Sequence, residues 1–129
     1  MLAIEIKTIP HEMQRYPTVG DYFCRDGKSL FFVSDLDDWR YETLVALHEV
    51  IEEALTRLRG ISEEEISDFD MAYERDRIAG DNSEPGDSPK APYHHEHVFA
   101  TSIERLVAQA LGVNWQEYDA AVEGVLDGK

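Results

Sequence analysis

The sequence predicts an α+β fold: a small antiparallel sheet, built from an N-terminal strand and a hairpin, followed by about four helices. Three observations carry that expectation. Polar and apolar residues alternate at the start of the chain, Asp26-Gly27 divides two apolar runs, and the rest repeats apolar residues at helical spacing behind capping residues.

Leu2 to Thr8 set Leu2, Ile4 and Ile6 on one side and Glu5 and Lys7 on the other, the alternation of a half-buried strand. Pro10 and Pro17 bracket a connection. Asp21 to Cys24 and Ser29 to Val33 then flank the Asp26-Gly27 turn, which places Phe23 opposite Leu30 and Tyr22 opposite Phe31. Both faces of this hairpin are apolar, so the sheet is expected to be covered on both sides, with Cys24 a small core residue.

Asp35, Asp37 and Asp38 offer an N-cap to a helix from Trp39 to Arg59, whose Leu44, Leu47, Ile51, Leu55 and Leu58 are expected inward and whose end is Gly60. Ser62-x-x-Glu65 is a capping box opening a second helix to about Arg75. Ile78 to Pro92, rich in Gly, Pro, Ser and acids, reads as a flexible loop near the site described below. A third helix, from about Tyr93 to Leu111, is expected to turn Phe99, Ile103, Leu106, Val107 and Ala110 inward. Asn114 with Glu117 caps a fourth, with Trp115, Tyr118, Val122 and Val125 on its apolar face.

At 129 residues the chain fits a single α+β domain. Its net charge of −15, without any Lys or Arg run, argues against nucleic acid and against an anionic membrane surface. The same charge suits a divalent cation or a basic protein partner. One cysteine excludes an internal disulfide, and no signal peptide or membrane-length apolar run can be read, so a cytoplasmic location is expected. The sequence leaves the oligomeric state open; a flat apolar sheet face and the Trp115 helix are surfaces that could support a homodimer.

The chemistry concentrates in Ala46-Leu47-His48-Glu49-Val50-Ile51-Glu52-Glu53. His48 and Glu52 are one helical turn apart on one face, the spacing at which a helix gives two ligands to one ion. Glu49 then stands beside them as a candidate catalytic base. Tyr93-His94-His95-Glu96-His97 supplies a third ligand, His97, which shares a face with Glu104 two turns on. The expected metal shell is His48, Glu52 and His97, with Asp68, Asp70 or Glu104 as a fourth ligand or as the group that orients one. The cofactor implied is a divalent metal: zinc, or manganese or iron. Other readings stay open at this level. His48 can be a core histidine bonded to a carboxylate, and Glu104 can pair with Arg105 or Lys129.

His48-Glu49-x-x-Glu52 resembles the His-Glu-x-x-His helix of zincin-like zinc peptidases, with Glu52 in place of the second His. That resemblance implies a metal-dependent hydrolase with Glu49 as general base. The string from Trp39-Arg40-Tyr41-Glu42 through Asp68-Phe69-Asp70 to Ala91-Pro92-Tyr93 and Glu96-His97 also resembles a group of short bacterial and phage-encoded proteins, which implies no activity. Glu49-x-x-Glu52 with Glu65-x-x-Asp68 is similar to the paired motifs of the all-α nucleoside triphosphate pyrophosphatases, which would imply magnesium at a pyrophosphate. A non-enzymatic accessory or inhibitor, presenting carboxylates to a basic partner, is the third alternative.

Overall fold

In the computed structural model, which describes residues 1–128, Ile4–Ile9 (β1), Gly20–Arg25 (β2) and Lys28–Ser34 (β3) form one sheet in the order β1-β3-β2. The hairpin follows from its turn. Asp26 and Gly27 both take positive φ, 53° and 75°, which matches the twist of the flanking strands. Tyr22 accordingly pairs with Phe31 and Phe23 with Leu30.

β1 corrects the expectation of an antiparallel sheet. It pairs with β3 in parallel, Ile6 level with Phe31, so the sheet is mixed. The connection over residues 10–19 turns the chain back as a hairpin would, but carries it one strand further across, and β3 fills the gap.

Helix α1 spans Trp39–Arg59, capped by the Asp38 carboxylate on Arg40 N at 2.9 Å and closed by Gly60 in the left-handed conformation. Ser62 caps α2 (Glu63–Arg75), and Asn114 caps α4 (Trp115–Leu126). Between them lies α3, His94–Ala110. The pairs Arg59–Glu96 (2.5 Å) and His48–Glu104 (2.8 Å) show that α1 and α3 run antiparallel, side by side.

Helix α1 packs on β2 and β3, covering one face of the sheet. Among the described residues the other face carries no second layer, contrary to the expectation of two covered faces: Phe23, Leu30 and Phe32 stay half-buried. The guanidinium groups of Arg15 and Arg25 lie over the Phe23 ring instead, at 4.8 and 4.5 Å. Cys24, at the outer end of β2, is exposed and not a core residue.

The inward faces of α1 and α3 also differ from the expectation. Of the ten apolar positions assigned inward on these helices, only Leu44 is buried, while Leu58, Phe99, Leu106 and Ala110 are exposed. The chain turns His48, Glu52 and Thr56 inward against His97, Ala100, Glu104 and Ala108. Two apolar clusters flank this polar seam. One gathers Val33, Leu36, Leu44, Val45, Val113, Tyr118 and Val122; the other gathers Ile66, Ala91 and Tyr93, with Tyr22 and Phe69 at its edge. Among the described residues no helix is long and apolar enough to cross a membrane.

Candidate metal centre

His48 and Glu52 are successive turns of α1, and His97 comes from the first turn of α3. The antiparallel packing brings their donor atoms into a triangle. His48 Nε2 lies 3.0 Å from Glu52 Oε2, His97 Nδ1 lies 3.1 Å from the same oxygen, and the two nitrogens are 3.2 Å apart. All three residues are buried.

Donors held about 2.0–2.1 Å from one ion lie about 3.3 Å apart at tetrahedral angles and about 2.9 Å apart at octahedral ones. The observed triangle falls between these values. This group can hold a metal ion, and its spacing suits either geometry.

The opposite atom of each ligand is also engaged. His48 Nδ1–H donates to Glu104 Oε1 at 2.8 Å, and Glu104 Oε2 accepts from Tyr118 OH at 2.5 Å. His97 Nε2–H faces Glu84 Oε2 at 3.0 Å and Asp87 Oδ1 at 3.1 Å. Tyr22 OH donates to Glu52 Oε1 at 3.1 Å. A histidine whose far nitrogen donates to a carboxylate is fixed in the tautomer and orientation a metal requires.

The electrostatics follow from four carboxylates around two imidazoles. Burial pulls the His48 pKa down, but hydrogen bonds to Glu104 and Glu52 outweigh it and push it up to about 11. Burial likewise opposes charge on His97, and Asp87, Glu52 and Glu84 raise it to about 12. Burial would raise Glu52, yet the two histidines hold it at about 2. Such a site carries excess negative charge even with both rings protonated, which favours a divalent cation.

Glu49 is half-buried and lines the same cavity, of about 360 Å³, together with His48, Glu52, His97, Asp70 and Tyr93. Burial raises its carboxyl well above the ordinary range, and the neighbouring Glu52 charge adds to that. Its position depends on Gly20: a Cβ there would stand 2.6 Å from Glu49 Oε1.

The expected fourth donors separate. Glu104 orients His48 in the way just described, and Arg105, its expected partner, lies over the Trp115 ring at 4.4 Å instead; Lys129 lies outside the described residues. Asp70 sits in the cavity wall, where it accepts from Tyr16 OH at 2.9 Å and from Tyr93 OH, and not on the triangle. Asp68 is exposed and lies outside the cavity, so the structure does not bring it to the triangle. Its neighbour Asp70 takes the inward position because α2 turns its Ile66–Asp70 face toward the protein.

Glu84 and Asp87 are additions the motifs did not supply. They sit at either end of a short 3-10 turn, Pro85–Asp87, that brings both carboxylates to His97, and with it they form a second group of possible metal ligands. Gly86 permits the approach, since a Cβ there would stand 2.4 Å from the His97 ring. The acid-Pro-Gly-acid run was the available signal. Comparison by sequence and by structure finds no matching family model, characterised protein or solved structure.

Proposed function

We propose that the protein binds a divalent metal ion through His48 Nε2, Glu52 Oε2 and His97 Nδ1, and that it is a metal-dependent hydrolase with Glu49 as general base. The donor triangle of 3.0, 3.1 and 3.2 Å, with both far histidine nitrogens on carboxylates, is the observation that carries this reading.

An ion held there would supply Lewis acidity and make a nearby water a stronger acid. Glu49 would take that water's proton: it shares the cavity with the triangle, and burial holds its carboxyl well above the ordinary range. Glu104 and Tyr118 hold the His48 ring, and Asp87 and Glu84 hold His97. Two histidines and one carboxylate leave a position for a substrate oxygen or water, a set used with zinc and with iron. The zincin-like resemblance of the α1 motif agrees with this division of roles.

The pyrophosphatase reading draws no support from the geometry, because Glu65 and Asp68 are exposed and line no part of the cavity that holds Glu49 and Glu52.

Elemental analysis of protein purified without chelator tests the metal. One zinc, manganese or iron per chain, lost in His48→Ala and in His97→Ala with helical circular dichroism retained, is expected. Wild-type protein that holds no ion and gains no thermal stability from any of the three metals would overturn the proposal. With the ion present, a panel of amide and ester substrates should show turnover that Glu49→Gln lowers by about 10²–10⁴-fold without loss of metal.

A further inference from the structure

The apolar residues that sequence spacing assigns to the interior of α1 and α3 form a face of their own. On α1, Leu47, Ile51 and Leu58 lie about a third of a turn from the buried His48–Glu52–Thr56 line. On α3, Phe99, Ile103 and Leu106 lie similarly away from His97, Ala100 and Glu104. Because the helices run antiparallel, both offsets open to the same side, opposite the cavity, with Ile51 level with Ile103 and Leu47 level with Leu106. Leu58 is 82% exposed, Leu106 63% and Phe99 53%. Apolar side chains left in water at this density along two adjacent helices mark an interaction surface.

We infer that this face is covered by a second copy of the chain, joined about a two-fold axis so that two antiparallel helix pairs make a four-helix bundle. Charge selects the occupant. The chain carries 27 acidic residues and a net charge of −15, so most surfaces of two copies repel. Positions 47, 50, 51, 54 and 58 of α1 and 99, 102, 103, 106 and 110 of α3 hold no Asp or Glu. Such a charge-free face is where two copies of this protein can meet without opposing carboxylates. A basic partner would be drawn instead to the cavity side, where Glu63, Glu84 and Asp87 are exposed.

Shape and size agree. An antiparallel pair meets its own image reciprocally about a two-fold axis, the requirement of an isologous contact. Helices of 21 and 17 residues give a face about 25 Å long, and two helices about 9 Å apart make it roughly 20 Å wide. That is roughly 500 Å² in projection and more as accessible surface, near the roughly 800 Å² per partner of stable complexes. All three atoms of the donor triangle stand on α1 and α3, so the dimer would also brace the spacing between them.

Sedimentation equilibrium of the full chain tests the proposal. The expected mass is twice that of the chain, and added sodium chloride should tighten the dimer by screening its like net charges. Leu58→Glu and Leu106→Glu should each weaken it more than about tenfold while leaving circular dichroism unchanged, because both side chains already face water. Ile4→Glu, on the exposed part of β1, should leave it intact. A monomer at every concentration, a dimer indifferent to both helix variants, or a dimer broken by Ile4→Glu alone would each overturn the inference.

Discussion

His48 Nε2 and His97 Nδ1 lie 3.2 Å apart, and both rest against one oxygen, Oε2 of Glu52. Without an ion, both ring nitrogens can donate an N–H to that carboxylate when the two rings are protonated, in line with pKa values raised to about 11 and about 12. A metal needs the same two lone pairs. Binding at pH 7 should therefore release about two protons per ion, and affinity should climb by up to about 100-fold per pH unit. Titration calorimetry in buffers of different ionisation enthalpy measures the release directly. Release of no protons would mean that the ion binds elsewhere.

The metal-free protein should lose stability as pH rises above neutrality. Each histidine has a folded pKa above its unfolded value near 6.5, so the native state binds more protons between 6.5 and about 11. The stability this confers is fully present below pH 6.5 and declines through that window, by up to about 1.4 kcal/mol per pH unit for each ring. Glu52 works oppositely: held at about 2, its contribution is present above pH 4.5 and lost as pH falls through 2. Thermal unfolding in chelator from pH 6 to 9 should show a falling midpoint. Saturating metal should flatten the fall, since the ion replaces the protons.

The elements were legible in the sequence because their ends are local chemistry. Asp38, Gly60, Ser62 and Asn114 stop or start helices through their own hydrogen bonds or backbone freedom, and the observed boundaries follow them. His48, Glu52 and His97 were legible because helical periodicity fixes which side chains share a face. The facing direction was not. Apolar spacing assigned Leu58 and Phe99 inward, whereas the seam between α1 and α3 is filled by paired charges, whose partners come from distant segments. The parallel β1–β3 pairing was equally hidden, since alternation in Ile4 to Thr8 is the same for either direction. Glu84 and Asp87 reach His97 only through a turn that no periodicity announces.

Glu49 can be tested apart from the metal. Glu49→Gln should keep the ion and lower any hydrolytic kcat by about 10²–10⁴-fold, the usual contribution of a positioned base. Gly20→Ala should act in the same direction and less strongly, because the new methyl displaces the Glu49 carboxylate without touching the triangle. Loss of metal in either variant, read by elemental analysis, would place Glu49 among the ligands.

Glu104→Gln and Tyr118→Phe probe the orientation of His48. Glu104→Gln retains an oxygen for the ring N–H but loses its charge, and should weaken metal affinity by about 10–100-fold. Tyr118→Phe removes the donor to Glu104 Oε2 and should have a smaller effect in the same sense. Competition with a chromophoric chelator gives both values. Equal affinity in all three proteins would reduce Glu104 to a packing role.

Asp70 should be a site where the folded protein resists ionisation. Burial raises its pKa to about 6, only partly offset by the hydrogen bonds from Tyr93 and Tyr16. The native state then binds more protons than the unfolded chain between pH 3.8 and about 6, so stability falls with rising pH across that window and the cost persists above it. Its upper bound is about 3 kcal/mol, from about two pKa units at about 1.4 kcal/mol each. Asp70→Asn removes the charge and keeps one acceptor oxygen for a tyrosine, while its amide can donate to the other tyrosine oxygen. The variant should be more stable than wild type by about 1–2 kcal/mol at pH 8 and no more stable at pH 4. Denaturant unfolding at the two pH values decides it: the same difference at both would mean that Asp70 carries no titration penalty, and that the two tyrosines fully compensate its charge.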